Sequence, residues 1–303
     1  MKPINQSLSA ILFFLLMPAF TVSAQQMVAE DAELVKISEG HQFTEGPVWN
    51  PSGYLLFSDI PANTIFKWVP GEESSEYMNP SGHSNGLTYD QDGRLVLAQH
   101  DGAVAKANED GSFEKLVTSY QGKRLNSPND LVVSSSGAIY FTDPPYGTNE
   151  EDKELDFQGV YRYTKDEGLQ LLIRDFDRPN GIALSPDEKR LYVNDSRQNH
   201  IRVFQVQEDG TLDKGRVFAE MESDENGAAD GMKVDAKGNV YSTGPGGLWI
   251  FSPEGELIQQ METPRLTNLA WGGKEGKTLF MTSPEAVYKL KMKTKGHFPY
   301  GNF

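Results

Sequence analysis

The sequence contains no cysteine, which removes disulfides, thiolate metal sites and a cysteine nucleophile at once. It is poor in positive charge: 28 Lys and Arg stand against 43 Asp and Glu, for a formal net charge of −15. Such a chain repels polyanions, so neither nucleic acid nor an anionic membrane surface is expected as a partner. Helical periodicity appears nowhere at length beyond the first residues, which argues against helical folds. A Gly-x-Ser-x-Gly elbow for a serine nucleophile is missing. So is a phosphate-cradling loop between strand and helix, because Gly244-Pro245-Gly246-Gly247 falls between two strands and reads as a tight loop. No Pro/Ser/Gly-rich linker divides the chain.

Long apolar runs are absent except over residues 10–20, between Lys2 and Val22-Ser23-Ala24. That layout is a signal peptide cleaved after Ala24. A membrane anchor is the competing reading, but the run is well short of the roughly 20 residues that span a bilayer. The expectation is an exported protein, periplasmic or secreted. Removing residues 1–24 takes away Lys2 alone and moves the charge from −15 to −16. The mature chain, 25–303, is expected to be free of the membrane.

A short pattern is used six times instead. Each copy is an oxygen-bearing residue, usually followed by Gly or Asp, then an apolar strand, a glycine turn and a second apolar strand. The copies open at Glu45-Gly46-Pro47-Val48-Trp49, Asn85-Gly86-Leu87-Thr88-Tyr89, Asn129-Asp130-Leu131-Val132-Val133, Asn180-Gly181-Ile182-Ala183-Leu184, Asp230-Gly231-Met232-Lys233-Val234 and Asn268-Leu269-Ala270-Trp271. Their first residues lie 40, 44, 51, 50 and 38 positions apart, the length of one four-stranded propeller blade. Pairs such as Asp92-Gly93, Ser136-Gly137 and Lys237-Gly238 close hairpins. The fold expected is all-β: a six-bladed β-propeller with a central metal-binding channel, forming one catalytic domain. Its ring closes by pairing an early strand near residues 34–37 with the last repeat, whose strands include 278–281 and 286–290.

In a propeller the first strand of every blade lines the axial channel, so the residue opening each repeat sits on the rim of one face. Glu45, Asn85, Asn129, Asn180, Asp230 and Asn268 form that ring, and each carries a carbonyl or carboxylate oxygen. Asn and Asp also occur as ordinary turn residues. A turn, however, accepts Ser, Gly or Thr equally well, and no repeat uses them. Converging carboxylates and amides without His or Cys make a hard-oxygen site for one divalent ion. Ca²⁺ suits it best, Mg²⁺ and Mn²⁺ are alternatives, and Zn²⁺ is less natural. Without the ion, the two carboxylates would repel each other and lift one pKa. Loops on the same face hold His100, the stretch from Arg124 and Asn126 to Pro128, and Asp143-Pro144-Pro145-Tyr146-Gly147. The longest, 144–158, is either a lid or an acidic solvated loop. His100 is a candidate donor to a substrate oxygen, and a structural role is its competing reading.

In order along the chain, Glu45-Gly46-Pro47-Val48-Trp49, Ser84-Asn85-Gly86-Leu87, Arg124-Leu125-Asn126-Ser127-Pro128-Asn129-Asp130, Phe141-Thr142-Asp143-Pro144-Pro145-Tyr146-Gly147, Arg178-Pro179-Asn180-Gly181-Ile182 and Asp230-Gly231-Met232 form a specific series. The series resembles the senescence-marker-protein, gluconolactonase and luciferin-regenerating-enzyme family of calcium-binding six-bladed propellers, bacterial gluconolactonases above all. The likeness spans essentially the whole mature chain. It implies that Glu45, Asn180 and Asp230 are metal ligands, that Asn129 binds metal or substrate, and that Asp230 is the general base. After His100 the chain reads Asp101-Gly102-Ala103-Val104, where related gluconolactonases usually continue with a Gly-Asn-Arg-Arg-like turn. An arginine is therefore missing, and the identity of the sugar lactone stays open.

The carbonyl of a lactone becomes an oxyanion during attack, so a cation beside that oxygen stabilises the transition state more than the ground state. Asp230, with one oxygen on the metal and one toward the substrate, is placed to take a proton from the attacking water. The cation also weakens it as a base, which leaves a metal-bound water as the alternative. Asn85, Arg124, Asn126 and Asn129 would orient ring hydroxyls, with His100, Tyr146 and Asn268 as further substrate contacts. The expected function is metal-dependent hydrolysis of a small sugar lactone such as gluconolactone to its aldonic acid. Two other readings are a Ca²⁺-dependent hydrolase of organophosphate or other esters, and a non-catalytic propeller that binds carbohydrate or protein. The last is disfavoured because a binding platform has no need of two unpaired carboxylates in a ring.

Overall fold

Each repeat folds as one four-stranded antiparallel sheet in the computed structural model, which describes residues 26–299. The leader expected over 1–24 lies outside those residues. The innermost strands are Thr44–Asn50, Ser84–Tyr89, Leu131–Val133, Pro179–Leu184, Met232–Val234 and Leu269–Gly272. Three further strands follow each, in sequence order toward the outside, as in Leu95–Gln99, Ala103–Ala107 and Phe113–Val117 of the second blade. The sixth blade is the exception. Its outermost strand is Val35–Glu39, paired antiparallel with Ala286–Lys291, so the chain start closes the ring on the last repeat as the sequence led one to expect.

Local chemistry explains the turns. Asp90 follows the first strand of its blade and accepts the N–H groups of Asp92 and Arg94 on Oδ1, at 3.0 and 2.8 Å. Asp235 does the same for Lys237 and Asn239, both at 2.9 Å. A side chain three residues before a glycine thus pre-forms the hairpin. Apolar residues pack in the wedges between neighbouring blades. At the closure Trp49 of the first blade stacks on Phe280 of the sixth, with ring centroids 5.1 Å apart, and Phe57, Trp68 and Val287 are buried with them. The Oγ1 of Thr267 donates to the Thr44 carbonyl at 2.7 Å, which ties the same two blades together beside the channel.

Two features had no counterpart in the repeat pattern. A small hairpin, Ser119–Tyr120 with Lys123–Arg124, joins the second blade to the third. At the far end of the channel His297, Phe298 and Pro299 cover a small space of about 50 Å³, lined by Val48, Leu87, Leu131 and Lys233 among others.

Candidate metal centre and cleft

Recurring glycines set the ring. The residue after the ring position is Gly46, Gly86, Gly181 and Gly231 in four blades. A Cβ on the first three would overlap the carbonyls of Asn85, Asn129 and Asp230 in the next blade, and on Gly231 it would overlap the Asn268 side chain. The same glycines donate across the joint, from Gly86 to the Asn129 carbonyl at 2.8 Å and from Gly181 to that of Asp230 at 2.9 Å. Side chains also donate to ring carbonyls, Ser58 Oγ to Asn85 at 2.8 Å, Thr142 Oγ1 to Asn180 at 2.7 Å, and Asn194 Nδ2 to Asp230 at 2.6 Å, the last as a second donor beside Gly181. The Asp230 backbone is thus held from two sides, which fixes where its side chain starts.

Glu45, Asn85, His100, Asn129, Tyr146, Asn180 and Asp230 come together as the lining of one cleft of about 520 Å³ at the channel mouth. The Oδ1 atoms of Asn85, Asn129 and Asn180 are buried and accept no hydrogen bond. Their amide nitrogens are partly engaged: Asn180 Nδ2 donates to Ser196 Oγ at 3.0 Å and to the Tyr146 hydroxyl at 3.4 Å, and Asn85 Nδ2 donates to His100 Nε2 at 3.2 Å. Leaving one buried amide oxygen unpaired costs about 1–3 kcal/mol. Three around one cleft mark a place where something electropositive fits.

The carboxylates say the same. Glu45 is buried and its carboxyl is pushed up to about 7, first by burial and then by the Asp130 charge, against the opposing N–H donors of Gly46 and Asn268. The Asp230 carboxyl is held well above the ordinary carboxylate range by desolvation and by Glu45, with which it shares a hydrogen bond. Two acids near enough to share a proton, ringed by unpaired amide oxygens, fit a hard divalent cation. Among the described residues no three His, Cys, Asp or Glu side chains converge to hold an ion, so the donors on offer are two carboxylates and amide oxygens. His100, by contrast, is depressed to about 4, mainly by burial. Its ring is neutral near pH 7, and in this arrangement Nε2 accepts from Asn85.

Three expected substrate contacts lie elsewhere. Arg124 Nη1 donates to the carbonyls of Leu125 at 2.7 Å and Asn126 at 2.6 Å, which braces the hairpin that carries it. Asn126 gives its amide to the carbonyls of Asp143 at 3.0 Å and Phe157 at 3.1 Å, at the two ends of the long loop. Asn268 lies beneath Glu45 and donates to Oε2 at 2.9 Å. The loop over 144–158 sends Tyr146 to the cleft, and Gly147 donates to Ser127 Oγ at 2.9 Å. Asp130 and Lys233 went unnoticed in the sequence. Asp130 is buried beside the ring, and Lys233 Nζ stands 3.6 Å from its Oδ2. Both break the repeat: Asp130 stands where four blades have glycine, and Lys233 is the one charge among the six residues third after each ring position.

The comparisons agree with this architecture. The family described as SMP-30/Gluconolactonase/LRE-like region matches residues 43–285. A gluconolactonase of Zymomonas mobilis is 38% identical over 290 residues, covering 86% of this chain and 81% of the relative. Lactonase drp35 of Staphylococcus haemolyticus is 27% identical over 287 residues, covering 89% and 82%. The solved structure of a gluconolactonase from Xanthomonas campestris superposes with a TM-score of 0.82 at 32% identity, covering 90% of this chain and 93% of that one. The chain belongs to the SMP-30/gluconolactonase/LRE-like family.

Proposed function

We propose that this lactonase hydrolyses a sugar lactone with one divalent cation, Ca²⁺, held at the cleft floor by Glu45, Asn129, Asn180 and Asp230, and that it works as an exported protein. The observation that carries the metal is the pair of unpaired, buried amide oxygens of Asn129 and Asn180 facing two carboxyls that share a hydrogen bond. The named activities of the Zymomonas and staphylococcal relatives support the reaction class.

When bound, the cation supplies positive charge beside the lactone carbonyl oxygen, where negative charge grows during attack. Glu45 and Asp230 then stay ionised. Asp230, partly open to the cleft, takes a proton from the water that adds to the acyl carbon. The bond from that carbon to the ring oxygen breaks, and the proton passes to the departing oxygen, which leaves as a hydroxyl. Tyr146 stays protonated, because burial and the Asp230 charge raise its pKa, and it offers an O–H to a substrate oxygen. Asn85, its amide nitrogen anchored on His100, presents Oδ1 to a ring hydroxyl.

A hydrolysis screen over aldonolactones tests the proposal, run on protein stripped with chelator and after Ca²⁺ is restored. Activity that is lost on stripping and returns with Ca²⁺ is expected. Lactone turnover indifferent to chelator removes the metal, and a screen without turnover removes the substrate class.

A further inference from the structure

Arg178, Arg197 and Arg265 line the same cleft as Glu45 and Asp230. Among the described residues no ion pair involves any of them. In a chain with 43 acidic and 28 basic side chains a carboxylate partner is easily found; Arg162 and Arg202, on outer strands, pair with Glu167 and Asp175. The guanidinium of Arg178 instead lies over the Tyr146 ring, 5.1 Å from its centroid, with Nε buried and unbonded. That of Arg265 lies over Phe43 at 5.9 Å. Arg197 is exposed at the rim. Stacking on an aromatic face orients a guanidinium while leaving its in-plane N–H donors free.

The acids of the floor do not require these three charges. Glu45, Asp230 and the adjacent Asp130 carry three negative charges, and Lys233 with one divalent cation supplies three positive ones. Arg265 also acts on the Asp230 carboxylate, yet the loaded floor is balanced without it. Three positive charges with free donors then surround the entrance, and a neutral polyol leaves them unmatched.

We infer that the substrate is a lactone bearing a second, anionic group, a carboxylate or a phosphate, remote from the ester, and that Arg178, Arg197 and Arg265 receive that group. This rests on the lactonase reading. The anion takes no part in the bond changes; it sets which lactone is bound and how quickly it is found.

The test compares kcat/KM for gluconolactone, a lactone of glucaric acid and 6-phosphogluconolactone on the Ca²⁺-loaded enzyme, at low and at high salt. A charged lactone is expected to exceed the neutral one by about tenfold or more at low salt, the size of one or two charge-assisted hydrogen bonds. That ratio should shrink in high salt and in Arg178→Met, Arg197→Met and Arg265→Met, mainly through KM. Which charged lactone leads identifies carboxylate or phosphate. A neutral lactone hydrolysed with a ratio indifferent to charge, salt and substitution overturns the inference while the lactonase reading stands. Should no lactone turn over, equilibrium binding of glucarate against gluconate decides. A preference for the dianion that the arginine variants lose keeps the anion site and removes only the lactonase reading, whereas equal binding removes both.

Discussion

Asn268, in the last repeat, donates from Nδ2 to Oε2 of Glu45, in the first, at 2.9 Å, so the side chain that closes the ring also aims a buried carboxylate of the site. Its own Oδ1 is held by the Leu269 N–H at 2.8 Å, which leaves the amide no freedom to turn. Residues that orient a metal ligand in this way typically contribute 10–100-fold to affinity. Asn268→Ala should therefore raise the Ca²⁺ Kd by about that factor in calorimetric titration, with kcat at saturating Ca²⁺ changed far less. An unaltered Kd would mean that Asn268 only joins two blades.

The raised carboxyl of Glu45 gives metal-free protein a distinctive pH dependence. Its pKa in the fold, about 7, lies above the ordinary carboxylate value, and Asp230 is shifted in the same direction. Between the ordinary value and about 7 the folded chain then binds more protons than the unfolded one, so stability falls as pH rises across that window. Chelated protein should melt lower at pH 7.5 than at pH 5, beyond any trend shown by the unpaired surface acids. Ca²⁺ should abolish the decline and release protons near pH 6, read as a buffer-dependent binding heat. A chelated protein with a flat or rising profile over that range speaks against two neighbouring acids without a counter-charge.

The glycine joints can be tested apart from the chemistry. Gly181 has ordinary negative-φ backbone, yet a Cβ there would run into the Asp230 carbonyl. Gly137 is the reverse case: its φ is +83° and its surroundings are open. Gly181→Ala should cost about 1–3 kcal/mol as overpacking and weaken Ca²⁺ binding as well, because Asp230 is what moves. Gly137→Ala should cost about 1–2 kcal/mol from its left-handed backbone and leave Ca²⁺ binding alone. Thermal melts with and without Ca²⁺ separate the two patterns.

The blades and the ring were legible because one steric demand recurs: a glycine follows the ring residue where the next blade presses on it, with a carbonyl at Gly46, Gly86 and Gly181 and with the Asn268 side chain at Gly231. The amide oxygens could be placed at the mouth by register alone. Asp130 and Lys233 escaped notice because they depart from the repeat, and a pattern search weighs agreement, not exception. Arg124 and Asn126 were read as substrate contacts because their loop lies on the right face. Their donors, however, are spent on carbonyls that only the folded hairpin and the long loop bring near. The three rim arginines come from separate loops, Arg178 just before the fourth repeat, Arg197 within it and Arg265 just before the sixth, and no local spacing links them.

Asp230 is asked both to hold the cation and to accept a proton, and its neighbourhood lets the two jobs be separated. In Asp230→Asn the amide oxygen can still face the cation, but the side chain accepts no proton at neutral pH. Loss of a general base typically lowers the rate by 10²–10⁴-fold, so kcat at saturating Ca²⁺ should fall by about that factor. Stability should move the other way in metal-free protein. The Glu45 carboxylate would then face an amide instead of a second acid with which it shares a hydrogen bond, so chelated Asp230→Asn should melt above chelated wild type at pH 7.5 and lose much of the wild-type response to Ca²⁺. This combination, a more stable and nearly inactive protein, is what a destabilising pair of acids retained for function predicts. Recovery of near-normal kcat at saturating Ca²⁺ would leave Asp230 as a ligand only, and a lower melting point in chelator would show that its carboxyl stabilises the floor instead of straining it.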